Sequence, residues 1–311
     1  MQDVLIINHS VVLDEGEDCF ALRSDEQSAF LCVADGCGGL GSKRYENLNG
    51  QTGAYIASRN AVKAFEAWAD ERHPSPVSEE EALTLCREVE GALFHRLKMF
   101  AETNCPQGKG RIVGSMQRTL PTTLCAYTSY AGVNGFWWAG DSRGYVMDAD
   151  GLHQYTRDHV RGETDPFETL YRDAPLSNLL SADKIGRIQW RRVDAMKPGV
   201  VMVATDGVYS SLPTPMEVEM LILDTLKAAR SYSEWEKKLR VQIARNAQDD
   251  ATLLIRPTGV SDFEQLKEAL LPRREIIQKQ FITPVRRHKG QVDYARAKWK
   301  LYQSGYDRSE G

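Results

Sequence analysis

Three times along this chain of 311 residues an apolar run of strand length closes on an aspartate beside a glycine. Ala29 to Ala34 leads into Asp35-Gly36, Gly135 to Ala139 into Gly140-Asp141, and Val200 to Thr205 into Asp206-Gly207. Such an ending leaves a carboxylate projecting from a strand end beside backbone free of Cβ obstruction. A fourth acidic step, Asp249-Asp250, comes just before the apolar run Leu253-Leu254-Ile255, and Asp18 stands in Gly16-Glu17-Asp18. Taken singly, each is the signature of a turn. As a set they are hard oxygen ligands beside hydrophobic strands, and converging in this way they suit Mg²⁺ or Mn²⁺ rather than zinc.

The remaining pattern is that of an α+β protein. β-branched and aromatic runs predict strands at Val4 to Ile7, Ala29 to Ala34, Thr122 to Tyr130, Gly135 to Ala139, Tyr145 to Asp148, Ile188 to Val193, Val200 to Thr205 and Ala251 to Arg256. Turn signals at Ala131-Gly132-Val133-Asn134 and Asp150-Gly151 favour antiparallel pairing. Helical spacing puts Ala54, Ala57, Ala61, Phe65 and Trp68 on one face of Gln51 to Arg72, and Leu85, Val89, Leu93, Leu97 and Phe100 on one face of Ser78 to Thr103. Further helices are predicted to start at Thr214-Pro215, at Ser233 and at Ser261, the last ending near Pro272. Strands flanked by two helix pairs fit an αββα sandwich, two central antiparallel sheets covered by helices on both outer faces.

The order of the acidic motifs resembles that of the metal-dependent type 2C serine/threonine protein phosphatases, the PPM family, in its bacterial form. The motifs read Gly16-Glu17-Asp18, Asp35-Gly36-Cys37-Gly38-Gly39, Thr122-Thr123-Leu124, Gly140-Asp141-Ser142-Arg143, Thr156-Arg157-Asp158-His159, Thr205-Asp206-Gly207 and Asp249-Asp250-Ala251-Thr252. The resemblance covers about residues 1–257, read as the phosphatase domain, with 258–311 a C-terminal helix and basic extension. It implies hydrolysis of phosphoserine and phosphothreonine by a metal-activated water, with two Mn²⁺ or Mg²⁺ ions and a weaker third. By resemblance, Asp35 bridges two ions, the Gly36 carbonyl contacts one, and Asp206 and Asp249 complete the opposite sides. Asp141 and Asp206 serve the third ion, and Asp18 holds metal-bound water.

One departure concerns phosphate. Family members carry an arginine a few residues before the first acidic motif, whereas Asn8 to Glu15 offers no basic side chain except His9. Lys43, Arg44, Arg161 and Arg172 are the candidate replacements, the last two in a segment, Arg161 to Ala182, that matches the flap of bacterial relatives. Arg143 and His159 each have a structural reading, an ion pair and a hydrogen bond, beside a chemical one. Cys37 reads as a small buried hydrophobe and Trp137-Trp138 as core. Cys105 to Arg111 has the Cys-x-x-Gly-x-x-Arg spacing of thiol phosphatases, but a helix precedes it and none follows, so it reads as a loop.

Charge is unevenly spread. Residues 272–311 carry a balance of +6, and the remainder of the chain −10. With Phe281, Tyr294, Trp299, Tyr302 and Tyr306 among so many cations, the tail is expected to be either a solvated appendage or a docking segment for an acidic surface, its own core or a partner protein. No nucleic-acid motif accompanies the charge, and neither a membrane span nor a signal peptide is recognisable. The six cysteines lack Cys-x-x-Cys spacing, which favours a reducing, cytoplasmic setting. The expected partner is a phosphorylated protein substrate, the product of a Ser/Thr kinase. The alternative is a catalytically weak scaffold of the same fold, engaging a signalling partner through its basic tail.

Overall fold

Parity along the strands decides the layers. On β3 (Ala29–Ala34), Phe30, Cys32 and Ala34 join one apolar layer while Leu31 and Val33 join another, and all are buried. β11 (Gly199–Ala204) divides likewise, with Val200, Met202 and Ala204 facing one way and Val201 and Val203 the other. A strand covered on both faces has no polar side, which is why these segments read as continuous apolar runs. The structure, a computed structural model, describes residues 4–25, 28–105, 118–162, 174–194, 196–212 and 214–308.

Among the described residues, the first sheet runs β1 (Leu5–His9), β12 (Ala251–Thr258), β11, β8 (Arg143–Asp148), β9 (Gly151–Gln154). The second runs β10 (Gln189–Arg192), β7 (Val133–Ala139), β6 (Leu124–Tyr130), β3, β2 (Cys19–Ser24). Neighbours pair antiparallel throughout both sheets. Leu31, Val33, Tyr127, Phe136, Val201 and Leu254 fill the space between the sheets. The helices α1 (Gly53–Arg72) and α2 (Glu79–Asn104) cover the second sheet, and α3 (Pro215–Ala228), α4 (Tyr232–Asn246) and α5 (Phe263–Ile277) the first. This is the expected αββα sandwich. Phe65 of α1 and Trp137 of β7 are wholly buried in one layer, and Phe65→Ala would cost about 3–5 kcal/mol in lost burial and cavity.

Helix starts follow their caps. Thr52 accepts from the Tyr55 amide ahead of α1, and Ser78 from the Glu81 amide ahead of α2. For α4 the cap is Ser231, two residues earlier than the predicted Ser233, and for α5 it is Asp262, one residue later than Ser261. The edge strand β1 has side-chain partners on its outer side: the Ile6 amide donates to Glu236 Oε2 at 3.2 Å, and the Ile6 carbonyl accepts from Arg240 Nη2 at 2.7 Å.

One expectation about the C-terminal region is corrected, and of the two readings of the tail the one that docks it on its own core describes the last helix. The helix α5 does not stop near Pro272 but continues to Ile277, then through a π turn at Gln278–Ile282 into α6 (Thr283–Arg287). Proline removes one backbone bond there, and Leu266, Leu270, Ile277 and Ile282, all buried, hold the continued helix in place. The last helix, α7 (Val292–Tyr306), is no solvated appendage. Its Trp299, Tyr302 and Tyr306 are buried in the layer beneath the first sheet, spaced to share one face. Tyr302 donates its hydroxyl to Glu219, a wholly buried acid that also takes Arg273 Nε at 2.7 Å.

Candidate active site

Strand direction brings the acids to one end of the sandwich. β3 and β7 are each antiparallel to the β6 between them, so Asp35 and the Gly140-Asp141 turn leave the second sheet at the same end. Cys19 at the start of β2 pairs with Ala34, which sets Asp18 beside Asp35 in the chain's layout. In the first sheet Ala204 pairs with both Arg143 and Leu253, so Asp206 follows β11 where Asp141 precedes β8 and Asp249 precedes β12. The short turn from β7 to β8 crosses between the sheets here, which joins the two acidic ends.

Threonines hold the acids. Asp35 donates its amide to Thr123 Oγ1 at 3.2 Å, and its carbonyl accepts from the Thr123 amide at 2.8 Å and from Thr122 Oγ1 at 2.7 Å. Thr123 in turn bonds Ser142 Oγ at 2.7 Å. Asp18 Oδ2 accepts from Thr205 Oγ1 and Thr252 Oγ1, both at 2.8 Å. Asp250 is a brace rather than a ligand candidate, its carboxylate taking the Val11 amide at 2.8 Å and the Glu17 amide at 2.6 Å. A Cβ on Gly36 would strike the Ala54 carbonyl in the first turn of α1, so only glycine lets the loop after β3 lie against the helix. These clamps were not foreseen from sequence, although the threonines stand inside the quoted motifs; the signal was a hydroxyl residue within a motif, Ser142 after Asp141, Thr205 before Asp206 and Thr252 two residues after Asp250.

The electrostatics are those of crowded anions. Burial first, and then the charges of Asp206, Asp18, Asp141 and Asp249, hold the Asp35 carboxyl well above its ordinary range. Burial, then Asp141, Asp18 and Asp249, do the same to Asp206. Asp18 is pushed up to about 7, chiefly by burial, against the hydroxyl bonds that favour its anion. Its second oxygen, Oδ1, is buried without a hydrogen-bond partner. A buried, unpaired carboxylate oxygen in the field of other acids fits a site that takes a cation, and an oxygen-only donor set fits Mg²⁺ or Mn²⁺. Among the described residues, no three His, Cys, Asp or Glu side chains stand close enough together to form a metal shell. The acids feel one another's charge without closing on a point.

The other predicted residues divide clearly. Arg143 forks onto Asp158, Nε to Oδ1 at 3.0 Å and Nη2 to Oδ2 at 2.7 Å, and lies 3.6 Å from the Tyr209 ring centroid. His159 Nδ1 accepts from the Gly140 amide at 3.1 Å, and burial lowers the pKa of its ring. Both therefore shape the Asp141 turn, the structural alternative for each. Arg44 is taken by Glu15 at 2.7 Å and the Gly50 carbonyl at 3.0 Å, and Lys43 lies over the Tyr45 ring. Arg161 is exposed, with its amide bonded to the Pro175 carbonyl. Arg172 and half of the predicted flap lie outside the described residues, as do Gly108 and Arg111 of the thiol-phosphatase spacing. Burial pushes the Cys105 thiol up, so it is not poised as a thiolate. Arg59, which sequence reading passed over, bonds the Gly16 carbonyl at 2.9 Å and stacks on Tyr55 from one turn away, steadying the loop that carries Asp18.

The family model for protein phosphatase 2C matches residues 9–245, a span that contains every one of these acids except Asp249 and Asp250. The chain belongs to the protein phosphatase 2C family. It is thus a phosphoprotein phosphatase, and metal dependence is general to its family. The same fold recurs in the serine/threonine phosphatase Stp1 from Staphylococcus aureus, at 16% identity and TM-score 0.61, covering 84% of this chain and 96% of that one. It recurs in PstP/Ppp from Mycobacterium tuberculosis, at 19% identity and TM-score 0.58, covering 82% and 97%. A third is the PPM Ser-Thr phosphatase MsPP from Mycobacterium smegmatis in complex with cacodylate, at 18% identity and TM-score 0.56, covering 83% and 98%. No curated protein matches the chain by sequence.

Proposed function

We propose that this phosphatase hydrolyses phosphoserine and phosphothreonine in protein substrates using two Mn²⁺ or Mg²⁺ ions and a weaker third, gathered at the acid end of the sandwich. The observation that carries this reading is the buried Asp18, clamped on one oxygen by Thr205 and Thr252 and unpartnered on the other, beside carboxyls whose pKa values are raised by burial first and then by one another's charge. When bound, the ions supply positive charge for the phosphoryl oxygens and lower the pKa of water. Asp35, Asp206 and Asp249 are the core ligands, with the Gly36 carbonyl, and Asp141 belongs to the weaker ion. Asp18 orients water within reach of the cluster, and the two threonines hold it in one rotamer.

The phosphate is gripped by Lys43, Arg44, Arg161 or Arg172, of which Arg44 has to exchange Glu15 for substrate. Residues 1–257 form the catalytic domain, and 258–311 an extension packed on it whose exposed cations suit an acidic partner. Unpaired cysteines suit a cytoplasmic setting, and among the described residues no helix is long and apolar enough to cross a membrane. No observation favours the scaffold alternative.

The test is hydrolysis of a phosphothreonine peptide with added Mn²⁺, repeated with a chelator and after iodoacetamide. Activity should require the metal and survive alkylation. Activity that persisted in chelator and died on alkylation would move the chemistry to Cys105.

A further inference from the structure

From the C-terminal helix to the Asp141 turn, polar contacts run without a break. Tyr306, the last residue of α7, is buried and donates its hydroxyl to Gln154 Oε1 at 2.7 Å. Gln154 Nε2 donates to Asp158 Oδ1 at 3.3 Å and to the Thr156 carbonyl at 2.8 Å. Asp158 carries the Arg143 fork, Arg143 lies on the Tyr209 ring, and the Tyr209 hydroxyl donates to the Asp141 carbonyl at 2.7 Å.

The orientation of each link is dictated by its neighbour. An ionised Asp158 only accepts, so the Gln154 amide must turn its NH₂ that way, which leaves its oxygen to Tyr306. Burial holds the hydroxyls of Tyr306 and Tyr209 well above the ordinary phenol range, so both remain donors. Arg143 has little access to water, and a planar fork held between a carboxylate and a ring has little freedom to swing. Tyr306 lies beyond the span matched by the family model, which ends at residue 245.

We propose that α7 is a positioning element of the active site, acting through Tyr306, Gln154, Asp158, Arg143 and Tyr209 on the turn that presents Asp141. The role in metal binding rests on the proposed function, but the coupling itself does not. Tyr302 supplies the control: it lies one turn earlier on the same buried face, and its hydroxyl bonds Glu219 instead.

Amide hydrogen exchange across residues 140–142, measured on the metal-free protein, reads the turn directly. Tyr306→Phe should speed that exchange by about two- to tenfold, the scale of one lost hydrogen bond, and Tyr302→Phe should leave it unchanged. Gln154→Met, which keeps the chain length and removes the amide, should match Tyr306→Phe. Combined with Tyr209→Phe, Tyr306→Phe should add nothing further. Calorimetry should then show weaker binding of the weakest Mn²⁺ in Tyr306→Phe by a similar factor. Equal acceleration by Tyr302→Phe would reduce the effect to general loosening of the helix, and no acceleration by Tyr306→Phe or Gln154→Met would remove the coupling; either overturns the proposal. A wild-type protein that hydrolysed no phosphopeptide would refute the function and leave the exchange result standing.

Discussion

At Asp18 the fold and the chemistry compete for one side chain. Its carboxylate is favoured by two hydroxyls and disfavoured by burial among other acids, and burial wins, raising its pKa from 3.8 to about 7. Asp35 and Asp206 move in the same direction. A carboxyl whose folded pKa is raised stabilises the fold fully below its unfolded value, and that contribution is lost as pH rises through the folded one. In chelator, the wild-type melting temperature should therefore fall from about pH 4 towards pH 7 and above, on account of this cluster. Asp35→Asn removes one of the repelling charges. It should abolish most hydrolysis yet raise the metal-free melting temperature by about 2–4 °C per kcal/mol recovered, with the gain shrinking as pH is lowered. Calorimetric scans of both proteins in chelator check this, and a variant that melts lower at every pH would contradict it. A second residue-scale expectation concerns Val11, Val12 and Leu13, exposed by 53, 57 and 84%, in the loop where relatives of this family carry an arginine. Leu13→Arg should lower KM for a small phosphoester by about tenfold with kcat little changed, because a guanidinium fork binds substrate and transition state alike. Steady-state kinetics decide it: an unchanged KM places the phosphate elsewhere.

Among the elements, the helices that follow strong caps were legible from sequence and those held by distant packing were not. Ser78 with Glu81, and Thr214-Pro215, mark their helices locally. By contrast α5 runs through Pro272 because residues on either side of it are buried beneath the first sheet, information no local window contains. The strand β2, with mostly half-buried side chains, has too weak an alternation to stand out, and α7 was masked by its own lysines and arginines. The acids themselves were legible because each motif is short and ends a strand; the clamps of Thr205 and Thr252 were not, since they meet Asp18 across more than 180 residues. The join between α3 and the C-terminal region depends on the buried Glu219 and its partner Arg273. Arg273→Met should cost about 3 kcal/mol by leaving a buried acid without its cation, read as a lower urea midpoint. A loss no larger than that of an exposed pair such as Arg44→Met would show that water reaches Glu219.

For the whole molecule, charge and packing are arranged in opposition: a tail with a balance of +6 is laid over a body of −10. Arg274 bonds Asp224 and Arg286 faces Glu217, so part of that attraction is realised as contacts between the C-terminal region and α3. Removing residues 292–311 should destabilise the enzyme rather than leave it whole, because Trp299, Tyr302 and Tyr306 leave an apolar surface behind. Thermal melts of the shortened chain check this, and an unchanged melting temperature would show α7 to be dispensable. The first sheet also has a protected edge. Its open side at β1 offers a row of donors and acceptors that could recruit another extended chain, yet Glu236 and Arg240, joined to each other one helical turn apart, occupy the Ile6 amide and carbonyl. An ion pair on α4 thus takes the place of a missing strand at Ile6, and leaves fewer open groups there for a second extended chain to pair with.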